Sequence, residues 1–243
     1  MFPIRDHNPS SRIPWVTRAI IAINLLVYLL TAPWAGNLEQ LWYEGALYPV
    51  AVSQGAWLHG LFTHMFLHAG LMHILGNMVF LWVFGDNLED QMGHLGFALF
   101  YLLGGLAAAG AQIAADPQSE VPMVGASGAI AAVMGGYLLL FPRARVDVLV
   151  IFIIFFRIFT IPAFVVLGLW FGIQVFSEIS TPAAEGGVAY LAHIGGFVAG
   201  PALAAPVWLR RGGPAFWART HGRPPHPDIE YIRTTIPVVR RRR

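Results

Sequence analysis

The sequence has no cysteine and no lysine, and only 12% of its 243 residues are charged. Without cysteine there can be no disulfide, no thiolate metal centre and no cysteine nucleophile, and thiols say nothing of the redox compartment. So small a charged fraction excludes a water-soluble globule, which carries about twice as much. Hydrophobic residues make up 56% of the chain, with 17 Phe and 8 Trp. A disordered chain is poor in such residues, so that class is excluded too. What remains is a bilayer protein, whose rings pack in lipid and whose Trp residues gather at the interface.

The scarce charges mark out the membrane crossings. A helix needs about 20 residues to cross the hydrocarbon core, and an unpaired charge inside it is costly. Six long stretches lack any acidic or basic residue: 19–38, 45–85, 91–115, 121–142, 158–177 and 186–209. The second is twice the needed length, and its first half holds Pro49, Ser53, Gln54, Gly55 and His59. A clean span is therefore expected at about 65–85, after a long amphipathic loop. The short apolar run 148–156, between Asp147 and Arg157, reads as an interfacial segment. The expected fold is all-α: a six-helix membrane bundle over residues 19–209, preceded by a cytoplasmic segment 1–18. Residues 210–243, with Gly212, Gly213, Pro214, Pro224, Pro225 and the run Arg240–Arg243, read as a disordered basic tail.

All 15 basic residues are Arg, at positions 5, 12, 18, 143, 145 and 157 and then nine times from Arg210 onward. With six crossings and the N-terminus inside, every one is cytoplasmic, while the outer loops carry Glu39, Glu44, Asp116, Glu120, Glu178 and Glu185. Both termini are thus expected in the cytoplasm. The first span follows Arg18 as a signal peptide would, but a small-x-small cleavage pattern is poor around residues 31–36, so removal is not expected. The basic tail suits anionic lipid, and no nucleic-acid-binding module is recognisable. No internal repeat is evident, which weighs against an inverted-repeat transporter.

Polar side chains inside spans are functional candidates, with helix-packing glue as the ordinary alternative. The fourth span carries Gly125-Ala126-Ser127-Gly128-Ala129, the sixth Ala192-His193-Ile194-Gly195-Gly196 and then Gly200, and the second His73 and Asn77. Spans two, four and six all descend from the outer face, and Ser127, His193 and His73 lie six, seven and eight residues past the expected starts. At about 1.5 Å per residue all three sit roughly 9–12 Å deep. A serine hydroxyl is a poor nucleophile until a base takes its proton, and His suits that task near neutral pH. Gly125 and Gly128 leave room for a substrate beside Ser127, and Gly196 with Gly200 forms a small-x-x-x-small face that lets two helices touch.

A rival reading uses His59, His64, His68 and His73 as metal ligands, which would make a metal transporter or a metalloprotease. Against it, there is no H-E-x-x-H motif, and no acidic residue lies within the spans to complete such a site.

Over about residues 1–209 the chain resembles the bacterial rhomboid intramembrane serine proteases. Gly125-Ala126-Ser127-Gly128 matches the G-x-S-G nucleophile motif, and Ala192-His193 with Gly196 and Gly200 matches A-H-x-x-G-x-x-x-G. His68, His73 and Asn77 are similar to an H-x-x-x-x-H-x-x-x-N segment, and Glu89 with Gly93 to a short E-x-x-x-G loop. The resemblance implies a Ser127–His193 dyad with no third acid and no cofactor. His73, Asn77 and the backbone N–H of Ser127 would form the oxyanion hole. It also implies a bacterial plasma membrane and transmembrane protein substrates. A non-catalytic relative that only binds client helices would lose the Ser or the His, whereas this chain keeps both. It departs from the pattern at His59-Gly60, where many members carry Trp-Arg, and at Ala131, where some place an aromatic ring to stack on the catalytic His.

Overall fold

Each of the six charge-free stretches contributes a helix in the computed structural model, which describes residues 2–31, 38–152, 155–180 and 188–223. In chain order the elements are β1 (Phe2–Asp6), α1 (Trp15–Thr31), α2 (Leu38–Gly45), α3 (Pro49–Ser53), α4 (Gly60–Thr63), a 3-10 turn (His64–Phe66), α5 (Leu71–Met92), α6 (His94–Ala115) and α7 (Ser127–Leu140). They continue with β2 (Arg145–Phe152), β3 (Phe155–Pro162), α8 (Ala163–Ser180), α9 (Tyr190–Arg210) and α10 (Pro214–Thr220). Helices α5, α6, α8 and α9 are long and apolar enough to cross a bilayer, and α1 and α7 are shorter apolar helices. The protein is a mostly helical, multi-pass membrane protein.

Helix α7 is apolar all round and sits at the centre, with residues Gly128 through Tyr137 and Leu140 buried. A helix without a polar face must be enclosed by others. By contrast α8 buries only Ala163, Leu167 and Gln174, and turns Phe164, Leu169, Ile173 and Phe176 outward, as suits a lipid-facing helix.

Two helix starts differ from the sequence expectation. Residues 64–66 form a separate 3-10 turn and Leu67 is extended, so α5 begins at Leu71 rather than near 65. Residues 121–126 are not helical either: Met123 pairs antiparallel with Leu47, each N–H donating to the other's carbonyl at 2.8 and 3.0 Å. Pro122, which lacks an N–H and disfavours helix at the residue before it, fits that extended run. The 14 residues of α7 reach only about 21 Å. Depth counted from Val121 along a helix therefore does not hold, although Ser127 and His193 still meet.

The all-α expectation needs correcting on the arginine-rich face. Strands β2 and β3 pair antiparallel, and β1 joins β2 on its other side in the order β1-β2-β3. Alternation explains it: Val146 and Val148 are buried, while Asp147 between them points to the other side of the sheet. There Asp147 accepts hydrogen bonds from Arg5 Nη2, His7 Nε2 and Thr160 Oγ1, each at 2.7 Å. Burial alone would raise this carboxyl's pKa, but the bonds from Thr160, His7 and Arg5 outweigh it and hold the group well below the usual carboxylate range.

The sheet is tied to the bundle by Asp6. Its Oδ2 accepts from Asn87 Nδ2 of α5 at 2.7 Å, and from Tyr137 OH of α7 at 3.1 Å. The E-x-x-x-G segment is the end of α5 rather than a loop. Buried Glu89 accepts from the backbone N–H groups of Val16 and Thr17 at 2.8 Å, from Thr17 Oγ1 at 2.7 Å and from His94 Nδ1 at 2.6 Å. It thereby caps α1 from another helix, satisfying first-turn donors that would otherwise be orphaned. Gly93, at φ +74°, ends α5 and turns the chain directly into α6.

Disorder was expected throughout 210–243, but α10 is ordered: Phe216 is buried, and Trp217 Nε1 donates to the Leu139 carbonyl at 2.9 Å. Residues 224–243, with Pro224, Pro225 and Arg240–Arg243, and also Glu185, lie outside the described residues.

Candidate active site

Ser127 is the first residue of α7, reached through Gly125 at φ +126°. That backbone conformation is open to glycine and strained for other residues. A Cβ on Gly125 would also meet the His73 ring at 2.8 Å. Gly125 is anchored from behind, its N–H donating to the His64 carbonyl at 2.8 Å. No side chain caps the first turn of α7, so its leading N–H groups remain available beside the Ser127 hydroxyl.

His193 comes from the first turn of α9. Helices α7 and α9 approach to backbone contact, with Gly196 against the Gly128 carbonyl and Gly200 against the Ala132 carbonyl. That approach brings His193 Nε2 to 2.7 Å from Ser127 Oγ. On its other side, His193 Nδ1 lies 2.8 Å from Oε1 of Gln174 in α8. The Trp170 and Tyr190 rings flank the imidazole, with centroids 5.9 and 6.4 Å away. Aromatic company for His193 thus arrives from α8 and α9, while the side chain at 131 is a fully buried alanine.

His73 stands at the start of α5, with its ring next to Gly125 and, in edge-to-face contact, 5.0 Å from that of His68. Its Nδ1 accepts the Ala69 N–H at 3.3 Å. The proton of a neutral ring is then on Nε2, which with Cε1 forms the ring edge beside Gly125. Asn77 follows one turn along α5, buried, and its Nδ2 has no hydrogen-bond partner among the described residues.

His59 and His64 are tied down separately, while both ring nitrogens of buried His68 have no hydrogen-bond partner among the described residues. His59 Nε2 donates to the Glu44 carbonyl at 2.6 Å, and His64 Nδ1 to the Gly60 carbonyl at 2.7 Å. Burial, outweighing the backbone bonds to Gly60 and Leu61, lowers the His64 pKa to about 4. Among the described residues, no three His, Asp or Glu side chains gather as metal ligands would.

Sequence reasoning missed Gln174, although the signal was present: it is an amide within an otherwise apolar stretch of span five.

Taken together, these elements define a polytopic membrane protein with a hydrogen-bonded serine–histidine pair inside its helix bundle. The chain belongs to the rhomboid family, matching the Rhomboid domain over residues 54–210. It is 32% identical over 197 residues to the rhomboid protease GluP of Bacillus subtilis, covering 79% of this chain and 36% of the relative. It is 33% identical over 150 residues to Rhomboid-related protein 2 of Mus musculus, covering 60% of this chain and 47% of that protein. Against RHOMBOID-like protein 6, mitochondrial, of Arabidopsis thaliana it is 39% identical over 106 residues, 44% of this chain and 33% of the relative. The chain thus spans less than half the length of each of these relatives.

Proposed function

We propose that the protein is an intramembrane serine protease that hydrolyses peptide bonds in or near the transmembrane segments of membrane-protein substrates. The observation that carries this reading is the 2.7 Å contact between Ser127 Oγ and His193 Nε2. His193 takes the hydroxyl proton as Ser127 attacks the carbonyl carbon, and then returns it to the leaving amine. Water repeats the cycle on the acyl-enzyme. The developing oxyanion is met by the Ser127 backbone N–H at the start of α7, by His73 Nε2–H and by Asn77 Nδ2. Asn77 Nδ2, without a partner among the described residues, and the proton on His73 Nε2 support those two roles. Gly125 and Gly128 keep the approach to the hydroxyl clear.

In this reading all six helices cross the plasma membrane of a bacterium, α7 with the help of the extended run before it. Both termini, the three-stranded sheet and the basic tail then lie in the cytoplasm, in line with the placement of all 15 Arg residues. The test is reconstitution with a transmembrane reporter, together with labelling by a serine-directed fluorophosphonate. Wild type should cleave and be labelled, and Ser127→Ala should do neither while staying folded. Cleavage or labelling that persists in Ser127→Ala would overturn the reading.

A further inference from the structure

Gln174 stands outside the serine–histidine pair, on a helix whose large apolar side chains mostly point outward. It is the only polar residue that α8 buries. Leu167 and Gln174 are two turns apart and share the inward face, and Trp170 and Phe171 pack on Phe197 of α9. This packing holds the amide against His193.

An amide has a donor end and an acceptor end, and the surroundings of Gln174 fix which is which. Its Nε2 lies 3.5 Å from the Trp170 carbonyl, one turn back on α8, and a carbonyl can only accept. The opposite end, Oε1, is 2.8 Å from His193 Nδ1 and can only accept there. Nδ1 must therefore carry the imidazole proton. In a neutral ring Nε2 is then the bare nitrogen, and it is the one facing Ser127 Oγ at 2.7 Å.

We propose that Gln174 is the positioning residue of this site, holding His193 in the tautomer and orientation that make Nε2 the base. The proposal rests on the reading of Ser127 and His193 given above and adds a third member to it. An amide fits the position physically, because an ionised carboxylate in a lipid-facing helix would be costly, while an amide oxygen offers a neutral acceptor. A neutral acceptor orients the ring fully but supports the imidazolium less than a carboxylate would. The ionisable groups around His193 are few: His73 from α5, Tyr190 on α9, and Glu178 one turn past Gln174 on α8. Helix α7 adds only Tyr137, ten residues past Ser127, and α6 only His94 and Tyr101, both in its first half.

The experiment compares wild type, Gln174→Met and Gln174→Glu in proteoliposomes with a transmembrane reporter, reading kcat and KM against pH, with a melting curve for each variant. Met keeps the length but has no comparable acceptor, so kcat should fall about 10- to 100-fold with KM within about twofold of wild type. Glu keeps an acceptor oxygen and should restore most of the loss. Where it ionises, it moves the acidic limb of kcat/KM up by about one pH unit. In parallel, ¹⁵N spectra of histidine-labelled wild type, assigned with His193→Ala, should show His193 protonated on Nδ1 at rest. Wild-type kcat in a folded Gln174→Met protein, failure of Glu to rescue, or a resting proton on Nε2 each overturn the proposal. If wild type itself does not cleave, it is the protease reading that fails, and the spectra still decide the role of Gln174.

Discussion

Gly196 of α9 rests directly against the backbone carbonyl of Gly128, the residue that follows Ser127 in α7. The absence of a side chain at 196 sets the separation of α7 and α9, and the absence of one at 128 lets α7 close on α6. A Cβ at 196 would have to displace that carbonyl, and one at 128 would meet Ala108 Cβ at 2.6 Å.

Gly196→Ala should therefore part the helices, lowering stability by about 1–3 kcal/mol and activity at least about tenfold. The control lies in α8, where a Cβ on Gly168 or Gly172 meets nothing within 4 Å. Gly168→Ala and Gly172→Ala should melt no lower than wild type, since alanine favours helix over glycine. Melting curves in detergent and reporter cleavage would check both.

His73→Ala and Asn77→Ala should lower kcat while leaving melting nearly unchanged, because the ground state makes little use of either donor. For His73 the expected loss is about 10²–10³. The effect at Asn77 should be milder, a neighbouring donor being able to serve in its place. If stability fell in step with activity, the two side chains would be helix glue instead.

Reporter fusions at the C-terminus should behave as cytoplasmic, as the distribution of Arg residues requires. An exported signal there would invert the proposed topology.

The attachment of the N-terminal sheet should depend on pH through Asp6. Burial, with Asp86 nearby, raises its pKa to about 7, against the opposing pull of hydrogen bonds from Asn8 and Tyr137. The folded state then binds a proton that the unfolded chain releases near pH 4. Stability from this group is full below about pH 4 and declines as pH rises through about 7. Asp6→Asn should abolish that slope in melting curves taken from pH 5 to 8, and an unchanged slope would remove Asp6 as its cause.

Glu89→Ala should cost about 2 kcal/mol or more by leaving the α1 N-terminus and His94 without their acceptor. Activity per folded molecule should stay near wild type, which separates this capping carboxylate from the residues of the site.

The spans and the site were legible in the sequence for different reasons. Charge is so costly in lipid that its absence alone outlined six helices, and Ser127 and His193 stood out against apolar surroundings. The strand pair β2 and β3 was hidden because eight-residue strands leave a short apolar run, and β1 contributes only when its distant partner is known. The start of α7 was missed because Met123 is held by Leu47, more than seventy positions away. Gln174 was visible as an amide in span five, but its meaning depended on which helix α8 packs against.

The pairing of β1 with β2 has a consequence for synthesis. Arg5 and Asp147 are 142 positions apart in the chain. At about 5–20 residues per second, the N-terminal strand leaves the ribosome roughly 7–28 s before its partner exists. Glu89, 72 positions after Thr17, arrives in about half that time, so α1 can be secured well before the sheet can form. The sheet then closes as a late clasp, joining a segment made early to a strand pair that emerges only after α7, the centre of the bundle, is complete.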